Sequence, residues 1–200
     1  LMAERSARRE EASAIATDVA PPTPLVVRLA CRPGLAPLLA EELASIGMTP
    51  RAVDAGHVEI RLADPWSALF ASRLWASAAI QIPLPPQSDA DPDSLAASIT
   101  SAITADATRA LLAAWTRGPI RWRLGFAHGH KRAVVWRVAR DVSAVAPELE
   151  NDPTATTWEL LVDDEAAALQ LVGRRIEDPR FAWREADVPA ASHPTVAAAL

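Results

Sequence analysis

The sequence predicts an α+β protein of two compact units, and three observations carry that reading. Short apolar runs with a period of two alternate along the chain with apolar spacings of three and four, the signatures of half-buried strands and amphipathic helices. A proline-rich stretch from Pro83 to Pro92 divides this pattern in two, because it can continue neither a helix nor a central strand. Half of the 200 residues are apolar, enough to bury two small cores.

The elements follow in order. Residues 1–24 contain Glu4, Arg5, Arg8, Arg9, Glu10 and Glu11 and no apolar block, so they read as a charged, disordered tail without a secretory signal. Leu25 to Cys31 is a β-rich run. Pro33-Gly34 then turns the chain into Leu35, Leu38, Leu39, Leu43 and Ile46, spaced as one buried helical face, and Gly47 ends that helix. Val53 and His57–Leu62 predict a strand pair with a hairpin at Asp54-Ala55-Gly56, since Val58, Ile60 and Leu62 alternate with His57, Glu59 and Arg61. Asp64 stands where an N-cap belongs and Pro65 at the first helical position, so Trp66, Leu69, Phe70 and Leu74 mark a second helix. Ala79–Leu84 follows as a strand. The order over residues 25–86 predicts two helices on one face of a sheet, a layout that resembles the ferredoxin-like fold.

The second unit, residues 87–177, starts its first helix near Ser94. Leu95, Ile99, Ile103, Leu111 and Leu112 share one helical face up to Trp115. Gly118-Pro119 breaks the chain before Ile120–Ala127, where Trp122, Leu124 and Phe126 alternate with Arg121 and Arg123 to give a strand with a basic face. After His128-Gly129-His130, a helix from Lys131 to Val145 places Val134, Val135, Val138, Val142 and Val145 at helical spacing, and Pro147 ends it. Trp158–Val162 and Leu169–Val172 predict a strand pair around Asp163-Asp164-Glu165.

Several function classes are excluded. Arginine interrupts the longest apolar runs, such as Ile120 to Val138, so nothing offers the roughly 18 uncharged residues that a membrane span needs. Cys31 is the only cysteine, which rules out an internal disulfide and a cysteine-based zinc cage and suits a reducing, cytoplasmic location. His128 and His130 supply only two metal ligands, and His57 and His193 have no visible nucleophile partner. There is no Walker pattern and no G-x-G-x-x-G. Catalysis has no visible home, and no cofactor site or metal site is expected in this chain.

Charge points elsewhere. The formal net charge is −5, yet Arg109, Arg117, Arg121, Arg123, Lys131, Arg132, Arg137 and Arg140 crowd one segment that holds no carboxylate. Arg121, Arg123, His128, His130, Lys131 and Arg132, with Arg137 and Arg140 one and two helical turns on, are the candidate RNA-binding residues. They lie on a strand, a turn and a helix start that could line a groove, and phosphate contacts need cations without base-specific geometry. The competing reading is a solvated basic face with Arg137 or Arg140 paired to acidic residues. The chain has seven tryptophans and no tyrosine; Trp66, Trp75, Trp115, Trp122, Trp136 and Trp158 coincide mostly with apolar faces and are expected in the core, and Trp183 stays open as a contact residue.

Gly129-His130-Lys131-Arg132 leading into a valine-rich helix, then Asn151-Asp152-Pro153 and the Trp158 strand, resembles the THUMP domain of RNA-modifying enzymes. Pro33-Gly34-Leu35 to Gly47 resembles the first helix of the ferredoxin-like domain that precedes it. Arg180-Phe181-Ala182-Trp183-Arg184, with Val188-Pro189-Ala190-Ala191-Ser192-His193-Pro194 running on to Leu200, is similar to the connector that leads into the Rossmann-like domain of THUMP-containing guanosine N2-methyltransferases. The resemblance implies a THUMP-like RNA-binding unit at 87–177, a connector at 178–200, and a separate catalytic domain that binds S-adenosylmethionine and carries (N/D)-P-P-(Y/F). Neither that motif nor a Gly-rich cofactor loop occurs here. The chain is therefore expected to stop in a linker helix before its methyltransferase domain and to be inactive alone; the Leu1-Met2 start likewise suggests an incomplete reading frame. The expected partners are structured RNA, ribosomal or transfer, and the chain's own missing domain, with Arg180, Trp183 and Arg184 as RNA or interdomain contacts. The alternatives are a non-catalytic interaction scaffold with a basic docking face and, last, an enzyme with an unrecognised site.

Overall fold

The computed structural model describes residues 12–85, 91–163, 166–174, 176–182 and 194–199. The chain divides into two compact units. One is Thr17–Ile80 with Glu177–Leu200, and the other is Leu1–Ala16 with Gln81–Ile176.

In the first of these, β2 (Leu25–Ala30) is followed by α1 (Ala36–Ser45), the hairpin β3 (Pro50–Val53) and β4 (His57–Leu62), a short 3₁₀ turn (Trp66–Ala71) and β5 (Ser77–Pro83). The strands run in the order β3-β4-β2-β5, and each neighbouring pair is antiparallel. Val27 and Leu29 of β2 and Val58 and Ile60 of β4 are fully buried, as the period of two requires. Asp54 builds the hairpin, accepting from the backbone N–H of Gly56 at 2.9 Å and of His57 at 2.8 Å. Gly47, at φ +85°, closes α1: its N–H reaches the carbonyl of Ala44 at 3.1 Å and the Met48 N–H that of Leu43 at 2.9 Å.

Two expectations for this unit need correction. Only Ala36, Leu39 and Leu43 line the buried stripe of α1, and Leu38 and Ile46 are 39% and 37% exposed, because three turns of helix meet their neighbours along a narrow line. The second helix is a 3₁₀ turn. Pro65 takes extended torsions (φ −52°, ψ 151°) instead of starting a helix, Asp64 makes no side-chain cap, and the Ser67 N–H donates to the Thr17 carbonyl at 2.8 Å.

The other unit carries β1 (Ala14–Ile15), α2 (Pro92–Thr104), α3 (Asp106–Ala114), β6 (Thr116–Arg117), β7 (Ile120–Phe126), α4 (Arg132–Val145), β8 (Leu149–Asn151), β9 (Trp158–Asp163) and β10 (Ala168–Gly173). Its main sheet has the order β10-β9-β7-β8, antiparallel between β10 and β9 and parallel from β9 through β7 to β8. Asp91 caps α2, accepting from Asp93 and Ser94, and Pro92 follows at the first turn. The continuous helix expected up to Trp115 breaks at Ala105, which is extended at ψ 138°, and the Thr108 hydroxyl donates back to the Ala102 carbonyl at 2.7 Å. Leu95, Ile99, Ile103 and Leu112 stay buried across the break.

The expected charged tail does not reach to residue 24. Ala14 and Ile15 pair with Arg117 and Thr116, and Ser13, Ile15 and Ala16 are buried. The Ser13 hydroxyl donates to the Pro119 carbonyl at 2.7 Å and lies 2.6 Å from the Thr157 hydroxyl. Among the described residues no helix is long and apolar enough to cross a membrane.

Candidate nucleic-acid interface

β7 lies between β8 and β9, so both of its edges are hydrogen-bonded within the sheet. Trp122 is 1% exposed and its indole N–H donates to the Leu149 carbonyl at 3.1 Å. Arg121 is 2% exposed, with its Nε 3.5 Å from Glu150, its register partner on β8. Arg123 pairs with Glu159, its register partner on β9, and Glu159 also takes Arg174. The basic face expected on this strand is thus neutralised by cross-strand carboxylates. Arg121 is sealed inside, and burying an unpaired guanidinium would cost several kcal/mol, on the order of what breaking a buried pair costs.

The chain leaves β7 through a turn that is exposed from Ala127 to Ala133. Gly129 sits at φ +72° with open space around a would-be Cβ, so it supplies the left-handed turn that admits the helix. Lys131 occupies the N-cap position of α4 without making a side-chain cap, and its ammonium lies 5.3 Å from the Phe126 ring centroid. His128, His130, Lys131 and Arg132 therefore share one exposed turn and helix start.

Farther along α4 the expected cations part company. Arg137 pairs with Asp93 of α2. Arg140, with a side chain 71% exposed, lies 2.8 Å from Asp141. Outside α4, Arg109 of α3 is held by Glu148. Of the eight candidate residues, the structure brings His128, His130, Lys131 and Arg132 together on one exposed turn and helix start, and ties Arg121, Arg123, Arg137 and, on the helix surface, Arg140 to carboxylates.

Trp136 departs from the core expectation: it is 69% exposed, while Trp66, Trp75, Trp115, Trp122 and Trp158 are buried. The signal was in the helical phase. At 100° per residue, position 136 lies 200° from Val134, which is buried with Val138 and Val142. Val145 is also exposed, at 61%.

Arg180 lies elsewhere. It is 8% exposed, its guanidinium carbon sits 3.4 Å from the Trp75 ring centroid, and it donates to the carbonyls of Ser72 (3.2 Å) and Trp75 (3.0 Å). Partial burial raises the Asp178 carboxyl, but hydrogen bonds from Arg180 outweigh it and hold the group below its ordinary value. Arg180 therefore clamps its own unit. Trp183 and Arg184 lie outside the described residues, as do residues 183–193 of the connector.

Among the described residues no cluster of three or more His, Cys, Asp or Glu side chains could hold a metal.

No protein-family model matches this sequence, and no curated protein does at significant similarity. Solved structures do match its fold. A structure described as a predicted N6-adenine-specific DNA methylase from Listeria monocytogenes str. 4b F2365 matches with a TM-score of 0.62 at 17% identity, over 88% of this chain and 47% of that one. The chain shares the fold of the matched part of that structure. TrmN from Thermus thermophilus matches at TM-score 0.52 and 20% identity, over 78% of this chain and 47% of that one. SMU.472, assigned as a methyltransferase and complexed with SAH, matches at TM-score 0.52 and 11% identity, over 74% and 41%. The chain spans about half the length of the first two of these structures.

Proposed function

We propose that this chain is the RNA-binding region of an S-adenosylmethionine-dependent RNA methyltransferase, acting on a guanosine N2 of ribosomal or transfer RNA and presenting that RNA to a catalytic domain outside these residues. The observation that carries the reading is the exposed turn and helix start with His128, His130, Lys131 and Arg132, set in a chain of net charge −5. Such a surface meets phosphate by charge and shape, with little reading of sequence.

The fold supports the same reading. The strand order β3-β4-β2-β5, with α1 between the first two strands in sequence, suits a ferredoxin-like unit at 25–86 in which a 3₁₀ turn replaces the second helix. The mixed sheet around β7 and α4 suits a THUMP-like unit at 87–177. Likeness in fold to structures described as methylases supports a methyltransferase context, with residues 178–200 as the link to the catalytic domain and S-adenosylmethionine as that domain's cofactor. A cytoplasmic location is part of the same proposal. RNA contact is assigned first to His128, His130, Lys131, Arg132 and Arg140; Arg123 and Arg137 join by exchanging partially exposed ion pairs for phosphate, and Arg121 acts as the buried support of β7.

The exposed Trp136 favours, as a second reading, a protein-docking face on the same helix. Equilibrium binding of structured RNA to the wild type and to the charge reversal Lys131→Glu/Arg132→Glu/Arg140→Glu tests the proposal. The expected result is a loss of at least tenfold in affinity, since three phosphate contacts are reversed. Unchanged RNA affinity would refute it.

A further inference from the structure

An indole in water needs a reason. Trp136 is 69% exposed, whereas the five other described tryptophans are at most 5% exposed. It faces away from the buried valines of α4, so no repacking of that helix within its unit would cover it while keeping Val134, Val138 and Val142 inside.

Its neighbours along the helix define its chemistry. Arg132 and Arg140 lie four residues before and after it, about 6 Å away along the axis on each side, within an arc of about 80°. Both are exposed. Among the described residues, Asp141 pairs with Arg140 and Asp93 with Arg137. An exposed pair such as Arg140–Asp141 contributes little and yields readily to a phosphate. The stripe therefore reads cation, ring, cation.

We propose that Arg132, Trp136 and Arg140 form a subsite for an unpaired nucleotide of the RNA, the base stacking on the Trp136 indole and the flanking phosphates meeting the two guanidiniums. This rests on the RNA-binding reading above and deepens it to a substrate class: RNA carrying a single-stranded segment beside its helix. Bases inside an A-form duplex offer no free face to an indole, whereas unpaired ones stack on aromatic rings. Two flanking arginines suit a phosphodiester and oppose a basic protein surface.

The test uses the chain as wild type, Trp136→Ala and Trp136→Phe, and two RNAs: a hairpin with a single-stranded extension and a blunt duplex of the same stem. Wild type is expected to bind the extended RNA more tightly than the duplex. Trp136→Ala is expected to lose roughly tenfold on the extended RNA and nothing on the duplex, while Trp136→Phe, which can still stack, keeps most of the affinity. If Trp136→Ala binds both RNAs as wild type does while the charge reversal loses binding, the subsite is overturned and the RNA-binding reading stands. If wild type binds neither RNA, both fall. If Trp136→Ala leaves RNA binding intact and converts a dimer to a monomer, the ring covers a second copy and the subsite is overturned.

Discussion

A Cβ at position 118 would meet the carbonyl oxygen of Ala12 at 2.2 Å, and Gly118 sits at φ +85°. Both the space and the torsion demand glycine there, so Gly118→Ala is expected to cost about 2 kcal/mol or more, read as a lower denaturant midpoint. Asp54 poses a subtler question. The Gly56 N–H, and after it His57, hold its carboxyl down to about 2 from 3.8. A depressed folded value contributes stability that is present above about pH 4 and lost as pH falls toward 2. The side chain is 53% exposed, so screening keeps the effect below about 1 kcal/mol. Asp54→Asn should be slightly less stable than wild type at pH 6, and the gap should close towards pH 2 in acid titrations of the unfolding midpoint. Residue-level signals such as the Asp54-Ala55-Gly56 turn were readable because their partners lie two or three positions away. Arg121 and Arg123 were not, because Glu150 and Glu159 lie 29 and 36 residues downstream and meet them only through sheet register. Trp136 could have been read from its phase against Val134 and Val138.

Among the elements, local patterning misses β1, β6 and β8: β1 and β6 are two residues each, paired across about a hundred positions, and leave no periodic trace. Ile15 is nonetheless 6% exposed, and a Cβ on Gly173 would press its side chain at 3.3 Å. Truncating it to Ile15→Ala is expected to destabilise by about 2–4 kcal/mol, as for other buried aliphatics; a change below 0.5 kcal/mol would show that β1 is only an appended strand. The 3₁₀ turn was mistaken for a helix because Asp64-Pro65 imitates a helix start, while the competing pull, the Thr17 carbonyl on Ser67, lies far away in sequence. The break at Ala105 leaves the apolar phase of α2 and α3 intact, so periodicity alone runs straight through it. Strands β2, β4, β7, β9 and β10 and helices α1 and α4 were legible because each has one or both faces buried at a regular spacing.

Across the whole chain, the proposed function rests on the balance of charge. Acidic residues outnumber basic ones 25 to 20, and among the described residues Arg123 and Arg137 are tied up in ion pairs, whereas the turn and start of α4 present exposed basic side chains. The basic run in the sequence is wider than the exposed turn, since counting arginines cannot distinguish a solvated cation from one neutralised across a sheet. The most direct test of the account is the salt dependence of RNA binding by the wild-type chain. Affinity for a structured RNA should fall linearly on a log–log plot with a slope of about −2.7 to −4.5, as expected for three to five phosphate contacts. Binding that is absent at low salt, or a flat dependence on salt, would contradict the claim that this basic turn and helix grip RNA.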